Sequence, residues 1–132
     1  MARVDDPHAA SVRLPADVRS VAAARLFVED AVRGWGVEPP EALPLLTSEV
    51  VTNAVVHSGA SWVEVRAVRA GNRARVEVAD QDPTVPEVQP ADPASPGGFG
   101  MWLVDRLARA WGVTEVEDDG KFVWFELPVS MR

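Results

Sequence analysis

Residues 62–68 and 73–80 alternate apolar and polar side chains, with Gly71 and Asn72 between them. That pattern predicts two strands folded into a hairpin, with one buried and one solvated face. Val76 and Val78 share a face with Asp80, whereas Arg75 and Glu77 take the other. A sheet grown from this hairpin is antiparallel here and must be covered on its valine side. Asp80 then arrives at the strand's end on the core side, where a carboxylate is costly unless something donates to it. Two readings stay open. Asp80 caps its own backbone at the start of a loop, or it accepts a hydrogen bond from a ligand amino group.

The cover comes from three apolar-striped segments. Residues 17–35 carry Val21, Ala24, Val28, Ala31 and Val32 at helical spacing, with Gly34 and Gly36 as stop signals. Pro39 and Pro40 open a second helix that Ser58 and Gly59 end, and 99–111 predicts a third through Trp102, Leu103, Leu107 and Ala110. Further strands are expected over 11–14, 113–116 and 122–127, the last two joined by a turn at Asp118, Asp119 and Gly120. The order β-α-α-β-β-loop-α-β-β predicts an α+β, two-layer sandwich, with a mixed, mostly antiparallel sheet and three helices on one face. At 132 residues the chain is one domain, read as 10–132 behind a flexible tail over 1–9.

Composition removes several classes of function. A net charge of −7 with no basic run argues against direct nucleic-acid binding and against anionic membranes. No apolar stretch reaches the roughly 20 residues that span a bilayer, and the first residues lack the apolar core of a signal peptide. Cysteine is absent, which excludes thiolate chemistry and fits a cytoplasmic chain. With only His8 and His57, a histidine-rich zinc site is not expected, and His8 reads as solvated.

The second helix carries the chemistry. In LLTSEVVTNAVVHSG, Glu49, Asn53 and His57 recur every four residues and so stack on one face of an otherwise apolar cylinder. That stripe is either a solvent face or the wall of a polar pocket. Residues 81–98 hold five prolines and form a long connection of the kind used as lids or binding segments. It ends in Gly97, Gly98, Phe99 and Gly100, directly before a helix whose free N–H groups suit an anion. Taken together, the stripe, Asp80 and the glycine-led helix could line one cavity. Asn53 could offer an amide oxygen to Mg²⁺ between phosphates, Glu49 could orient or deprotonate an attacking hydroxyl or water, and Asp80 could accept from an adenine amino group.

These segments resemble the GHKL superfamily, which shares the Bergerat ATP-binding fold. EVVTNAVVH resembles its N-box, ADQDP its first glycine box, GGFGMWLVDRLARAWGV its second, and GKFVWFELP its closing strand. Within the superfamily the chain looks most like the anti-sigma-factor serine/threonine kinases of actinobacterial type. The resemblance implies that Glu49 is a general base, Asn53 the Mg²⁺ ligand and Asp80 the adenine reader. Gly98, Gly100 and Met101 would offer backbone N–H groups to ATP phosphates, and 81–98 would be the lid. His57 matches a position usually filled in the family, with a structural cap as the other reading. A sigma factor or an anti-sigma antagonist is the implied partner, and a homodimer the implied assembly. A nucleotide-dependent interaction module with weak or lost kinase activity is the alternative. The chain departs from the family in three places: the first box reads Asp80-Gln-Asp-Pro without glycine, Phe122 stands where a threonine is common, and the lid has no Lys or Arg.

Aromatics on both faces of the closing strand suggest that the outer face of the sheet is partly covered, either by a partner or by ordinary partial burial.

Overall fold

A computed structural model describes residues 3–6, 8–57, 59, 61–81, 100–116 and 120–131. The elements run β1 (Arg3–Asp6), β2 (Ala9–Pro15), α1 (Arg19–Gly34), β3 (Val37–Glu38), α2 (Leu43–His57), β4 (Trp62–Ala70), β5 (Arg73–Asp80), α3 (Gly100–Leu107), β6 (Ala110–Val116), β7 (Gly120–Pro128) and β8 (Ser130–Met131). Six strands form one sheet in the order β1-β2-β4-β5-β7-β6, and β3 pairs with β8 in a separate ribbon. Every pairing among the described residues is antiparallel, so the sheet expected to be mixed and mostly antiparallel is antiparallel throughout them. The three helices pack on one another and on one face, which gives the expected two-layer α+β domain.

Parity builds the core. Val63, Val65 and Ala67 of β4, Ala74, Val76 and Val78 of β5, and Val123, Phe125 and Leu127 of β7 all point under the helices and are buried. From the helix side, Ala24, Val28 and Val32 of α1 form an i, i+4 row, and α2 contributes Leu43, Leu46, Val50, Val51 and Ala54. Helix α1 starts later than expected because Asp17 sits outside it. One carboxylate oxygen of Asp17 accepts from the Arg19 backbone N–H at 2.8 Å, and the other takes the Arg19 guanidinium at 3.0 Å. The same arginine holds the Asp17 pKa at about 2. Beyond the helix, Gly36 turns the chain with φ +77, a conformation that suits glycine.

Two segments differ from expectation. Residues 3–6, read as tail, form the edge strand β1 against β2. Helix α3 ends at Leu107 and not at Trp111. Its apolar spacing carries on through Ala110 and Trp111, but β7 captures those residues as a strand, beginning with Arg109 N–H to the Glu126 carbonyl at 2.8 Å. Trp111 therefore lies opposite Phe125 on the covered face and donates its indole N–H to Asp105 at 3.0 Å.

The outer face is an ionic lattice. Arg66 and Arg75 both meet Glu77, at 3.3 Å and 2.9 Å, and Arg73 and Arg75 meet Glu126 at 2.9 Å and 3.6 Å. Arg75 also stacks 4.1 Å over the Trp124 ring, and Arg13 stacks 3.9 Å over Trp62. Gly112 leaves the room that Trp124 uses, since a Cβ there would come within 2.7 Å of the indole. The outer tryptophans thus find much of their cover within the chain itself.

Candidate functional site

Four residues join the C-terminus of α2 to the start of β4, so the later turns of α2 lie at the end of the sheet where β5 finishes. Ser61 marks that junction: its backbone N–H and its hydroxyl both donate to the Gln81 side chain, at 3.0 Å and 3.1 Å. Asp80 sits at the same end, on the helix side of β5.

Asp80 has a charged partner on the neighbouring strand. Lys121 faces it directly across the β5–β7 ladder and brings its ammonium to 2.9 Å from Oδ1 and 3.1 Å from Oδ2. The side chains of Asp80 and Lys121 are only 1% and 6% exposed, so this is a buried ion pair. Gly120 brings the strands together: a Cβ there would stand 2.9 Å from the Asp80 carbonyl oxygen. Lys121 was missed in the sequence. Counting back by two from Val123 places it on the core face, but its position opposite Asp80 depends on the register of two non-adjacent strands. Phe122, next in β7, points to the outer face with Trp124.

Glu49 and Asn53 lie one turn apart on α2, and both are partly buried, so the stripe is not a plain solvent face. The carboxylate of Glu49 reaches the start of α3, where its Oε2 would be 3.7 Å from a Cβ on Gly100. Burial pushes the Glu49 carboxyl above its ordinary value, and no cation among the described residues offsets that shift. Gly100 and Met101 are buried at the first turn of α3, whose N–H groups find no acceptor within the helix. His57 ends α2 in backbone terms, and its side chain lies outside the described residues, as do Gly98 and the 82–99 part of the expected lid. His8, read as solvated, is exposed and sits edge-on to Trp35 with ring centroids 6.4 Å apart.

Among the described residues no group of three or more His, Asp or Glu side chains could hold a metal ion. A Mg²⁺ ion here would need phosphate oxygens and water beside one amide, a set that suits its chemistry. The glycine at Glu49 and the first turn of α3, whose N–H groups have no acceptor within the helix, suit a phosphate chain. At the end of β5, Asp80 is engaged by Lys121. No helix of the described residues is long and apolar enough to cross a membrane.

An antiparallel sheet under three helices, with a half-buried Glu and Asn on the middle helix and a glycine start on the next, defines a domain of the GHKL ATP-binding class. The family described as "Histidine kinase-like ATPase domain" matches residues 14–127, and the chain belongs to that family. Family membership implies an ATP-binding regulator. No curated protein matches the chain in sequence.

Proposed function

We propose that this protein is a cytoplasmic regulator that uses Mg·ATP to phosphorylate a serine or threonine on an anti-sigma antagonist, and that it controls transcription by holding a sigma factor or that antagonist. The observation that supports this reading most is Glu49, an acid raised by burial against the glycine that starts α3. An acid so placed is tuned toward the pKa a general base needs near neutral pH. When bound, Mg·ATP would supply the γ-phosphoryl group, which passes to the serine or threonine oxygen as its bond to the departing ADP breaks. Glu49 takes the proton of the incoming hydroxyl, and Asn53 Oδ1 would hold the metal. The first-turn N–H groups of Gly100 and Met101, with Gly98 before them, would meet the phosphates. A homodimer that presents two such sites is part of the same proposal.

Incubation with γ-labelled Mg·ATP and a candidate antagonist tests this reading. Wild-type protein transfers label, and Glu49→Ala loses transfer by a factor of about 10² or more, as expected for a general base, while it keeps ATP affinity. ATP binding without transfer to any serine- or threonine-bearing partner would sink the kinase reading. It would favour a nucleotide-dependent interaction module instead. The glycine-less first box and the closed Asp80–Lys121 pair are the features that support that second reading.

A further inference from the structure

We infer that the edge of the sheet at β6 is the seam of the homodimer: two copies pair β6 with β6, antiparallel, about a two-fold axis at Gly112. This rests on the homodimer in the reading above and names the surface that would form it.

The two edges of the sheet differ. Strand β1 has four residues and an irregular register, a common way to blunt an edge. Strand β6 has seven, all in unbroken register with β7, and neither proline nor lysine guards it. No described strand pairs with its other side, so its outward N–H and C=O groups can template another strand. The ends of this edge carry opposite charges. Arg109 stands just before β6 and Glu115 near its end; both are exposed, and neither side chain has an ion-pair partner among the described residues. An edge that is basic at one end and acidic at the other complements itself when antiparallel. Opposed residues in a ladder share a face, so a two-fold axis normal to the sheet must pass a residue that meets its own copy. Gly112 lies three residues from Arg109 and three from Glu115, so an axis there sets each against the other across the seam. The same register sets Ala110 opposite Thr114 on the outer face. On the helix face it sets Trp111 opposite Val113, both half-buried at the rim of the core. Gly112, under its own Trp124 ring, meets the axis without a side chain. The apolar pairs supply adhesion, and the charges choose the register.

Two experiments on the full chain test the seam. The chain has no cysteine, so Ala110→Cys with Thr114→Cys introduces the only thiols. Across the seam the two positions would lie about 4.5–5.5 Å apart at Cα, within the roughly 4.4–6.8 Å that a disulfide spans. Along one strand they are about 13 Å apart and cannot close on themselves. Mild oxidation should turn most of this double variant into a covalent dimer on a non-reducing gel, and Thr114→Cys alone should stay uncrosslinked. In sedimentation, Arg109→Glu and Glu115→Arg should each weaken the dimer by about tenfold or more, since each turns two attractions into two repulsions. Combining the two reversals should restore most of the affinity. A dimer that does not cross-link through the paired cysteines, or whose affinity ignores both reversals, overturns the seam and leaves the homodimer standing. Equal cross-linking of Thr114→Cys alone overturns the register at Gly112. If the cysteine variant does not fold, the charge reversals decide alone. A wild-type protein that sediments as a monomer at every concentration overturns the homodimer, and the seam with it.

Discussion

Asp80 and Glu49 are both acids on the helix side of the sheet, yet the fold treats them in opposite ways. Asp80 lies under the Lys121 ammonium at 2.9 Å and is almost wholly buried. Glu49 is half-buried against the backbone of Gly100, and no cation among the described residues balances its raised pKa. One acid is electrostatically settled, and the other is left poised. Charge that is matched in place holds strands together. Charge left unmatched in a cleft costs stability, and it persists where a proton must move.

The largest effect comes from breaking the settled side. Asp80→Ala removes the carboxylate from a buried ammonium and should cost about 3–5 kcal/mol, because desolvated charge loses its counter-charge. Urea unfolding with constant m-value measures it. Replacing both members by apolar residues, Asp80→Leu with Lys121→Met, should recover most of that loss, since a buried pair rarely outperforms a packed apolar pair. With the single variants Asp80→Leu and Lys121→Met it closes a double-mutant cycle that reports the coupling directly. A double variant whose loss equals the sum of the two single losses would show that the two charges are not coupled.

That pair also marks where the sequence stopped being readable. Asp80 on the core face followed from alternation in β5 alone, and the Glu49–Asn53 stripe followed from the four-residue spacing. Both are local patterns. Lys121 needed a non-local fact, that β7 and not β6 lies beside β5. Chain order would have put the 113–116 strand next to the hairpin just as readily. The end of α3 failed for a related reason: Leu107, Ala110 and Trp111 keep a helical spacing, and only pairing with β7 turns the last two into strand. Strands β3 and β8, two residues each, carry too little pattern to be seen.

An intermediate case sharpens the contrast. Glu77 on the outer face meets two arginines, Arg66 at 3.3 Å and Arg75 at 2.9 Å, so by geometry it is better paired than Asp80. Its setting is wetter: the Arg66 side chain is 48% exposed. Glu77→Gln should therefore cost only about 0–1 kcal/mol, and the cost should shrink further in high salt as screening grows. Melts at low and high salt check this. A loss comparable to that of Asp80→Ala would mean that the outer lattice, and not burial, carries the energetic weight.

The smallest effect should carry the opposite sign. The folded-state pKa of Glu49 lies above its ordinary value of 4.5 because burial disfavours the charged form. Its linkage contribution is fully present below the unfolded pKa and is lost as pH rises through the folded pKa, so at neutral pH the ionised carboxylate opposes folding. Glu49→Gln keeps the shape and removes that charge. It should raise stability at pH 7 by no more than about 0.5 kcal/mol, since the group is only half-buried and water screens it. Below pH 4.5, where wild-type Glu49 is itself protonated, the advantage should vanish. Urea midpoints of the two proteins across that range decide the matter. A variant less stable than wild type at pH 7, or an advantage that does not change with pH, would mean that Glu49 is held by favourable contacts. It would then be a settled acid like Asp80, and the argument that it stands ready to take a proton would lose its physical basis.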